Sequence, residues 1–167
     1  DVGCAAISIH GRTRAQMYKG DADWIPIEQV KNNPRMFIPV FGNGDVNSPE
    51  KAVEMRDKYG LDGAMIGRAS IGNPWFFNRV KHYFKTTEHL PYPMINERID
   101  MARRHLEMSI KWKGEKLGVL ETRRHYSNYF KGIPDFKKHR TKMVTCDYSA
   151  QLFDLFDELK VRFKNIE

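Results

Sequence analysis

The sequence predicts an α/β segment with parallel strands, followed by an all-α segment. Short apolar runs around Ile7, Ile38 and Met65 recur at intervals of 31 and 27 residues, the rhythm of consecutive βα units in a parallel sheet. Beyond residue 95 the apolar residues recur with a period of about 3.6 residues, which is typical of helices. Residues 86–94 lie between the two patterns and contain two prolines, so they predict a linker.

The first βα unit begins with an apolar run at residues 5–9. This run ends at a His-Gly-Arg tripeptide, residues 10–12, and a polar loop follows it. A helix is predicted over residues 24–33. It is expected to end before Pro34, because the residue that precedes a proline disfavours the helical conformation.

The second unit begins with an apolar strand at residues 38–41 and continues into a helix whose start is clearly marked. Ser48 is the expected N-cap, Pro49 takes the first helical position, and Glu50 lies at the positive end of the helix dipole. A third strand is predicted at residues 63–66. Strands joined by one helix are parallel and their crossover is right-handed, so the loops after these strands open at one edge of the sheet.

Residues 74–84 predict the helix of the third unit, with Asn73 as its cap. Beyond the linker, three long helices and a shorter one between residues 135 and 144 are predicted to form a small antiparallel bundle. The apolar stripes expected in its core are Ile99, Ala102, Leu106 and Ile110; Leu117, Leu120 and Tyr129; and Leu152, Leu155, Phe156, Leu159 and Phe163.

Composition excludes several classes of protein. No apolar run approaches the roughly 20 residues of a membrane helix, and no basic start marks a signal peptide. Cys4 and Cys146 show neither a CxxC motif nor zinc-ligand spacing. We therefore expect a cytoplasmic setting without membrane or metal. Because the sequence starts without methionine in the approach to a strand, we also expect a fragment of a longer protein.

The net charge of +7 is concentrated in one segment. Residues 98–142 hold 13 basic and 5 acidic side chains, whereas residues 1–92 hold 12 and 10. Such a positive segment suits a polyanion such as nucleic acid. On composition alone, a solvated lysine-rich surface explains it equally well.

Glycines and polar side chains follow each predicted strand. They are His10, Asn43, Gly44, Asp45, Gly67 and Arg68. Glycine lets a phosphate approach backbone N–H groups without a Cβ in the way, and arginine offers a planar cation for bidentate contacts. The residues after all three strands together predict a phosphate-bearing ligand at this edge, although the residues after any one strand are also typical of an ordinary turn. The spacing does not identify the ligand.

Three segments, IHGRTRAQMYKGDADW, IPVFGNGDV and AMIGRASIGNPWFF, resemble the C-terminal third of the barrel of bacterial tRNA-dihydrouridine synthases. The resemblance covers residues 1–84, and the later helices resemble the helical RNA-binding domain of that family more loosely. It implies the last three βα units of a TIM (β/α)8 barrel followed by a small helical bundle. The implied domains are the C-terminal part of an FMN-binding barrel (1–85), a linker (86–94) and a tRNA-binding domain (95–167).

The resemblance also implies FMN as cofactor, NADPH as reductant and a tRNA uridine as substrate, which is reduced to dihydrouridine. Asn43, Gly44 and Asp45 match the flavin-binding NGD of the family. Gly67 and Arg68 match its phosphate-binding GR, and His10 matches its flavin-proximal histidine.

Basic and aromatic residues alternate in the positive segment, which suits phosphate contacts combined with stacking on unpaired bases. The candidates for tRNA contacts are Arg12, Arg103, Arg104, Arg123, Arg124, Lys131, Lys137, Lys138 and Arg140. Adjacent arginines cannot share one helix face, so one of each pair is expected to bind Glu107 or Glu121 instead.

The family uses a cysteine in an Asn-x-Gly-Cys-Pro loop as its catalytic acid, and this sequence has no such motif. Cys4 precedes its strand, on the opposite edge from the site. No catalytic residue is therefore predicted in this chain, and the fragment is predicted to be inactive. Its first strand would lack a neighbour, which favours self-association. The alternatives are a non-enzymatic RNA-binding module and another phosphate-binding barrel enzyme that acts on a small molecule.

Overall fold

The computed structural model describes residues 3–163, which form two compact units. The first unit runs to Ser70 and also includes Pro74–Leu90. The second comprises Ile71–Asn73 and the chain from Pro91 onward. Within the described part of the chain, no helix is both long and apolar enough to cross a bilayer.

The first unit is a parallel sheet with helices between its strands. Its strands are β1 (Ile7–His10), β2 (Val40–Asn43) and β3 (Gly63–Met65), and its helices are α1 (Ile25–Lys31), α2 (Pro49–Lys58) and α3 (Phe76–Thr86). The strands lie in the order β1-β2-β3, and His10, Asn43 and Met65 are in register. The predicted parallel arrangement is confirmed, and the ends of the strands lie at one edge.

Strand β2 begins two residues later than predicted. Pro39 has no N–H to donate to a neighbouring strand, although its carbonyl accepts from the N–H of Ile7 at 2.9 Å. The regular ladder therefore starts at Val40, which is fully buried.

The predicted start of α2 is confirmed, whereas the predicted cap of α3 is wrong. The Ser48 hydroxyl accepts from the N–H of Lys51 at 3.1 Å, and Pro49 opens the helix. Helix α3 begins at Phe76, and Trp75 takes its N-cap position without a capping hydrogen bond from the Trp75 side chain. Asn73 belongs to the second unit.

The core of the first unit is built around Trp24, which is 1% exposed. A Cβ at Gly42 would lie 2.1 Å from the Trp24 ring, so only glycine lets the indole pack against β2 at this point. The core also contains Ile27, Val40, Val46, Ala52, Met55, Leu61, Phe76 and Val80. This packing holds the end of β2 rigidly beneath the loops that follow it.

The second unit is helical. Its helices are α4 (Ile95–Lys113), α5 (Glu115–Tyr129), α6 (Lys137–Thr145) and α7 (Ser149–Arg162). The prediction of three long helices and a shorter one is confirmed. The buried stripe of α7 is also as predicted, since Leu152, Leu155, Phe156, Leu159 and Phe163 are all at most 5% exposed.

The predicted stripe of α5 is wrong in part. Leu117 and Leu120 are 54% and 42% exposed, and the buried face instead carries Gly118, Val119, Thr122, Tyr126 and Tyr129. The reason is a close approach of two helices. A Cβ at Gly118 would lie 2.7 Å from the backbone nitrogen of Ile110 on α4, so glycine, not leucine, faces the neighbour.

Candidate ligand site at the strand ends

Asp45 connects the three strand ends of the first unit. Its Oδ2 accepts from Nη2 of Arg12 at 2.5 Å and from the N–H of Ala22 at 2.8 Å. Its Oδ1 accepts from Nη2 of Arg68 at 3.0 Å. Residues that follow β1, β2 and β3 therefore meet on one carboxylate.

The electrostatics of this cluster keep Asp45 ionised. The hydrogen bond from Arg12 is the main reason that the pKa of Asp45 lies below its usual value, and Ala22 and Arg68 lower it further. The Arg12 side chain is only 4% exposed, and its Nε and Nη2 also donate to the carbonyl of Gly20. A buried guanidinium of this kind needs its carboxylate partner.

The loop after β1 is tied to the end of β2 through backbone contacts. The N–H of Gly11 donates to the carbonyl of Asn43 at 2.8 Å, and the N–H of Asp23 donates to the carbonyl of Gly11 at 2.7 Å. A Cβ at Gly44 would lie 2.4 Å from Cβ of Ala22, and the φ of Gly44 is +140°. Glycine is thus required here for packing within the protein itself.

Gly67 and Arg68 present an open surface after β3. A Cβ at Gly67 would meet no atom within 4 Å, so its backbone faces free space. The carbonyl of Gly67 accepts from the N–H and Oγ of Ser70 in a short 3₁₀ turn. The Arg68 guanidinium is held by Asp45 and lies 4.9 Å from the ring centre of Tyr18, with 57% of the side chain exposed.

His10 offers one donor at this edge. Its Nδ1 accepts from the N–H of Arg12 at 3.0 Å, so the proton of the neutral ring lies on Nε2. The side chain is exposed. Asn43, at the end of β2, is partly exposed and pairs with His10 in the sheet.

The structure thus brings the predicted strand-end residues to one edge, but the environment of Arg12 differs from the prediction. Arg12 was predicted to contact tRNA, whereas its guanidinium is buried against Asp45 and Gly20. Sequence reasoning missed the Tyr18 ring and the Ala22 N–H. Both lie in the polar loop after β1, where no periodicity links them to residues 23 or 50 positions further on.

The basic candidates in the helical unit divide into two groups. Arg103 binds Asp157 at 2.5 Å and Glu107 at 3.5 Å, and Arg123 binds Asp147 at 2.7 Å and the carbonyl of Cys146. Internal partners therefore occupy these two side chains. Those of Arg104, Arg124, Lys131, Lys137 and Lys138 are exposed, and Arg140 is partly exposed.

Neither cysteine lies among the strand-end residues. Cys4 is exposed and precedes β1, at the other end of that strand. Cys146 caps the end of α6 in the helical unit, and burial raises the pKa of its thiol above the usual value.

The sequence model of the family described as "Dihydrouridine synthase (Dus)" matches residues 1–163. The chain belongs to the dihydrouridine synthase family. A probable tRNA-dihydrouridine synthase of Rickettsia conorii is 41% identical over 138 residues, which is 83% of this chain and 41% of that protein. The tRNA-dihydrouridine synthase B of Pseudomonas putida is 40% identical over 140 residues, 84% of this chain and 41% of that protein.

A third member of the dihydrouridine synthase family matches a larger share of this chain. The tRNA-dihydrouridine synthase B of Xanthomonas axonopodis pv. citri is 40% identical over 163 residues, which is 95% of this chain and 48% of that protein. The chain therefore spans less than half the length of the curated relatives it matches.

Proposed function

We propose that this chain is the cofactor-anchoring and tRNA-binding part of an FMN-dependent tRNA-dihydrouridine synthase. In that protein the three βα units are the last three of a TIM barrel. The observation that carries the proposal is the shared carboxylate of Asp45, which holds Arg12 and Arg68 at one sheet edge. Active sites of such barrels lie at this edge, and phosphate sites lie in the loops after the last strands.

The residues at the edge fit a flavin phosphate and ring. Gly67 has open space beside its backbone, and Arg68 supplies an exposed cation that Asp45 orients. His10 and Asn43 offer hydrogen bonds to ring oxygens, while Gly44 and Asp45 shape the loop. When bound, FMN supplies the two-electron chemistry that reduction of a uracil double bond requires, with NADPH as the source of electrons.

Gly67→Ala tests the cofactor site directly. Because the added methyl group meets no protein atom, we expect the melting temperature of the apoprotein to stay unchanged. FMN affinity should fall about tenfold or more, since the methyl group fills the space that a phosphate needs. Fluorescence titration with FMN measures it. Gly60→Ala, away from the edge, is the control for affinity only, because the φ of +59° at Gly60 strains alanine and should lower the melting temperature.

Equal FMN affinity in the wild type and Gly67→Ala would contradict this assignment. A full-length protein that binds tRNA but no flavin would favour the non-enzymatic RNA-binding alternative. Flavin binding without tRNA binding would favour a barrel enzyme that acts on a small molecule.

We assign tRNA binding to the helical domain at residues 95–167, joined to the barrel part at 1–85 by the linker 86–94. The proposed contacts are Arg104, Arg124, Lys131, Lys137, Lys138 and Arg140. Two lysines in the first turn of α6 oppose the helix dipole, so helix stability does not explain them. Arg12, Arg103 and Arg123 are reassigned to positioning roles, because internal partners occupy their side chains.

The salt dependence of binding tests the RNA assignment. We expect tRNA affinity to fall steeply with rising salt, since each neutralised phosphate releases counterions. The double variant Lys137→Ala/Lys138→Ala should reduce the slope by about 2, roughly one per lost contact. Wild-type affinity that does not change with salt would contradict the assignment.

The proton donor for uridine reduction is proposed to lie outside this chain. Cys4 precedes β1, and Cys146 lies at the end of α6, so neither belongs to the residues that follow the three strands. The protein is proposed to act in the cytoplasm. The edge of β1 that does not face β2 is proposed to pair with a further barrel strand, or with a second copy when this chain is isolated. A concentration-independent monomer in light scattering would contradict such self-association.

A further inference from the structure

The end of α4 carries a large aromatic side chain that the bundle does not bury. Trp112 lies in the last turn of α4 and is 83% exposed, whereas Trp24 in the first unit is 1% exposed. Tryptophan is usually well buried because of its large apolar area. Packing within the bundle therefore gives no reason for an indole at this position.

Trp112 belongs to an exposed face of α4 that combines cationic and apolar groups. Arg104, Met108, Lys111 and Trp112 follow one another at spacings of four, three and one residues, which places them on one side of the helix. The opposite side is the buried stripe of Ile99, Ala102 and Leu106. We call the exposed set the α4 outer face.

The charge around this face is positive, because Glu107 is paired with Arg103 and Glu121 with Lys113. Glu115 accepts from the N–H and Oγ of Ser149 and keeps its negative charge. Arg104 and Lys111 on the face, and Lys116 at the start of α5, are exposed. The lysines in the last turn of α4 also complement the helix dipole, but that effect does not require a tryptophan beside them.

An exposed indole between cations suits an unpaired nucleotide. Single-stranded nucleic acids bind through bases stacked on aromatic rings and phosphates contacted by lysine or arginine. Protein interfaces also use tryptophan but are depleted in lysine, so this composition favours RNA over a protein partner.

We propose that Trp112 stacks on an unpaired base of the tRNA, while Lys111 and Lys116 contact the phosphates beside it. This inference rests on the proposed function and adds a stacking contact to the phosphate contacts assigned there. Stacking depends little on counterions, whereas phosphate contacts depend on them strongly. The two kinds of contact therefore differ in their response to salt.

The experiment measures the affinity of the full-length protein for an unmodified tRNA transcript at several salt concentrations. Trp112→Ala should bind about tenfold or more weakly with an unchanged salt slope. Trp112→Phe should restore most of the affinity, because it keeps an aromatic ring. Lys111→Ala should reduce the slope by about 1.

Tyr148→Ala is the matched control, since Tyr148 is an aromatic residue of the same unit that is 65% exposed. It should bind like the wild type. Trp112 is exposed, so its variants should fold, which circular dichroism checks. Binding of Trp112→Ala at wild-type affinity would overturn the inference and leave the proposed function intact.

Two other outcomes would also overturn the inference. If the wild type failed to bind tRNA, the proposed function would fail together with it. If Trp112→Ala changed only the sedimentation of the protein and not its tRNA affinity, the α4 outer face would be a protein interface instead.

Discussion

The carboxylate of Asp45 interacts with the arginines around it more than with solvent. Both its oxygens are occupied by Arg12, Ala22 and Arg68, and its backbone has a φ of +54°. A positive φ is uncommon outside glycine, and aspartate tolerates it better than most residues. In the proposed flavin site Asp45 is therefore a positioning residue, and the exposed Arg68 guanidinium is the group that meets the phosphate.

Asp45→Asn should destabilise the protein by about 2–3 kcal/mol, because it leaves the buried Arg12 guanidinium without its carboxylate. Chemical denaturation at pH 7 measures this change. Asp57→Asn, which alters an exposed ion pair with Arg56, is the control and should have little effect. The same Asp45 variant should also bind FMN more weakly, because Arg68 loses its orienting partner.

The pH dependence of the Asp45 contribution has a definite sign. Its pKa is lower in the folded state than in the unfolded state. The contribution is therefore fully present above the unfolded value of about 3.9 and is lost as pH falls through the folded value. Equal acid unfolding of the wild type and Asp45→Asn would contradict the ion pair.

His125 predicts a second pH effect, in the helical unit. Its Nδ1 accepts from the N–H of Gly72 at 3.2 Å, and its ring lies 4.5 Å from that of His105. Burial, with smaller effects from His105 and Arg124, lowers the pKa of His125 to about 4. The unfolded chain, with a pKa of about 6.5, therefore binds more protons between these two values.

Stability should consequently fall as the pH is lowered from about 6.5 toward 4. His125→Asn keeps a hydrogen-bonding side chain without this titration, so its unfolding free energy should vary less over that range. Denaturant unfolding at several pH values measures the slope. Measurements above pH 7, where His125 is neutral in both states, serve as the internal control. Identical slopes for the variant and the wild type would contradict the prediction.

Among the elements, the pair α4 and α5 depends on one small residue. Gly118 brings the α5 backbone against the backbone of Ile110, and Thr122 and Tyr126 continue the buried face. The Tyr126 hydroxyl donates to Oγ1 of Thr122, which itself donates to the carbonyl of Gly118 at 3.0 Å. Burial raises the pKa of Tyr126 to about 12, so this phenol stays neutral.

Gly118→Ala should destabilise the helical unit by about 1–2 kcal/mol. Alanine favours a helix over glycine by about 1 kcal/mol, but overpacking against a backbone atom at 2.7 Å costs about 1–3 kcal/mol or more. Thermal unfolding measures the difference. Gly67→Ala, whose added Cβ meets no atom within 4 Å, is the control and should unfold like the wild type. A stabilised Gly118→Ala variant would show that the helices can separate at little cost.

At the level of the whole molecule, the chain combines a three-stranded parallel sheet with a basic helical unit, as described for residues 3–163. Three βα units do not close an eight-stranded barrel. In the proposed enzyme the remaining units complete the flavin site and carry the acid that protonates the uracil. The two units of this chain then hold the cofactor phosphate and the tRNA.

This chain alone should form no dihydrouridine when it is supplied with FMN, NADPH and unmodified tRNA. The reason is that Cys4 precedes β1 and Cys146 belongs to the helical unit, so neither is one of the residues that follow the strands. Mass spectrometry of the tRNA measures the product, and the full-length tRNA-dihydrouridine synthase B of Pseudomonas putida is the positive control. Product formed by this chain would show that the proton donor lies within it.

Local patterns in the sequence were sufficient to predict most of the strands and helices. Apolar spacing placed the parallel strands, Ser48 and Pro49 marked the start of α2, and the stripe of α7 identified its buried face. Such features depend on neighbours within a few residues, so they can be read without knowledge of the rest of the chain. The same local reasoning placed glycines and polar groups at the three strand ends.

Contacts between distant residues could be found only in the folded chain. Arg12 and Arg68 reach Asp45 across 33 and 23 residues, and Gly118 makes room for Ile110 on another helix. The sequence alone predicted that the Arg12 side chain contacts RNA. Its burial is evident only in the folded chain, where it binds Asp45 and Gly20. Partner choice depends on distance and desolvation in three dimensions, which the order of residues along the chain does not express.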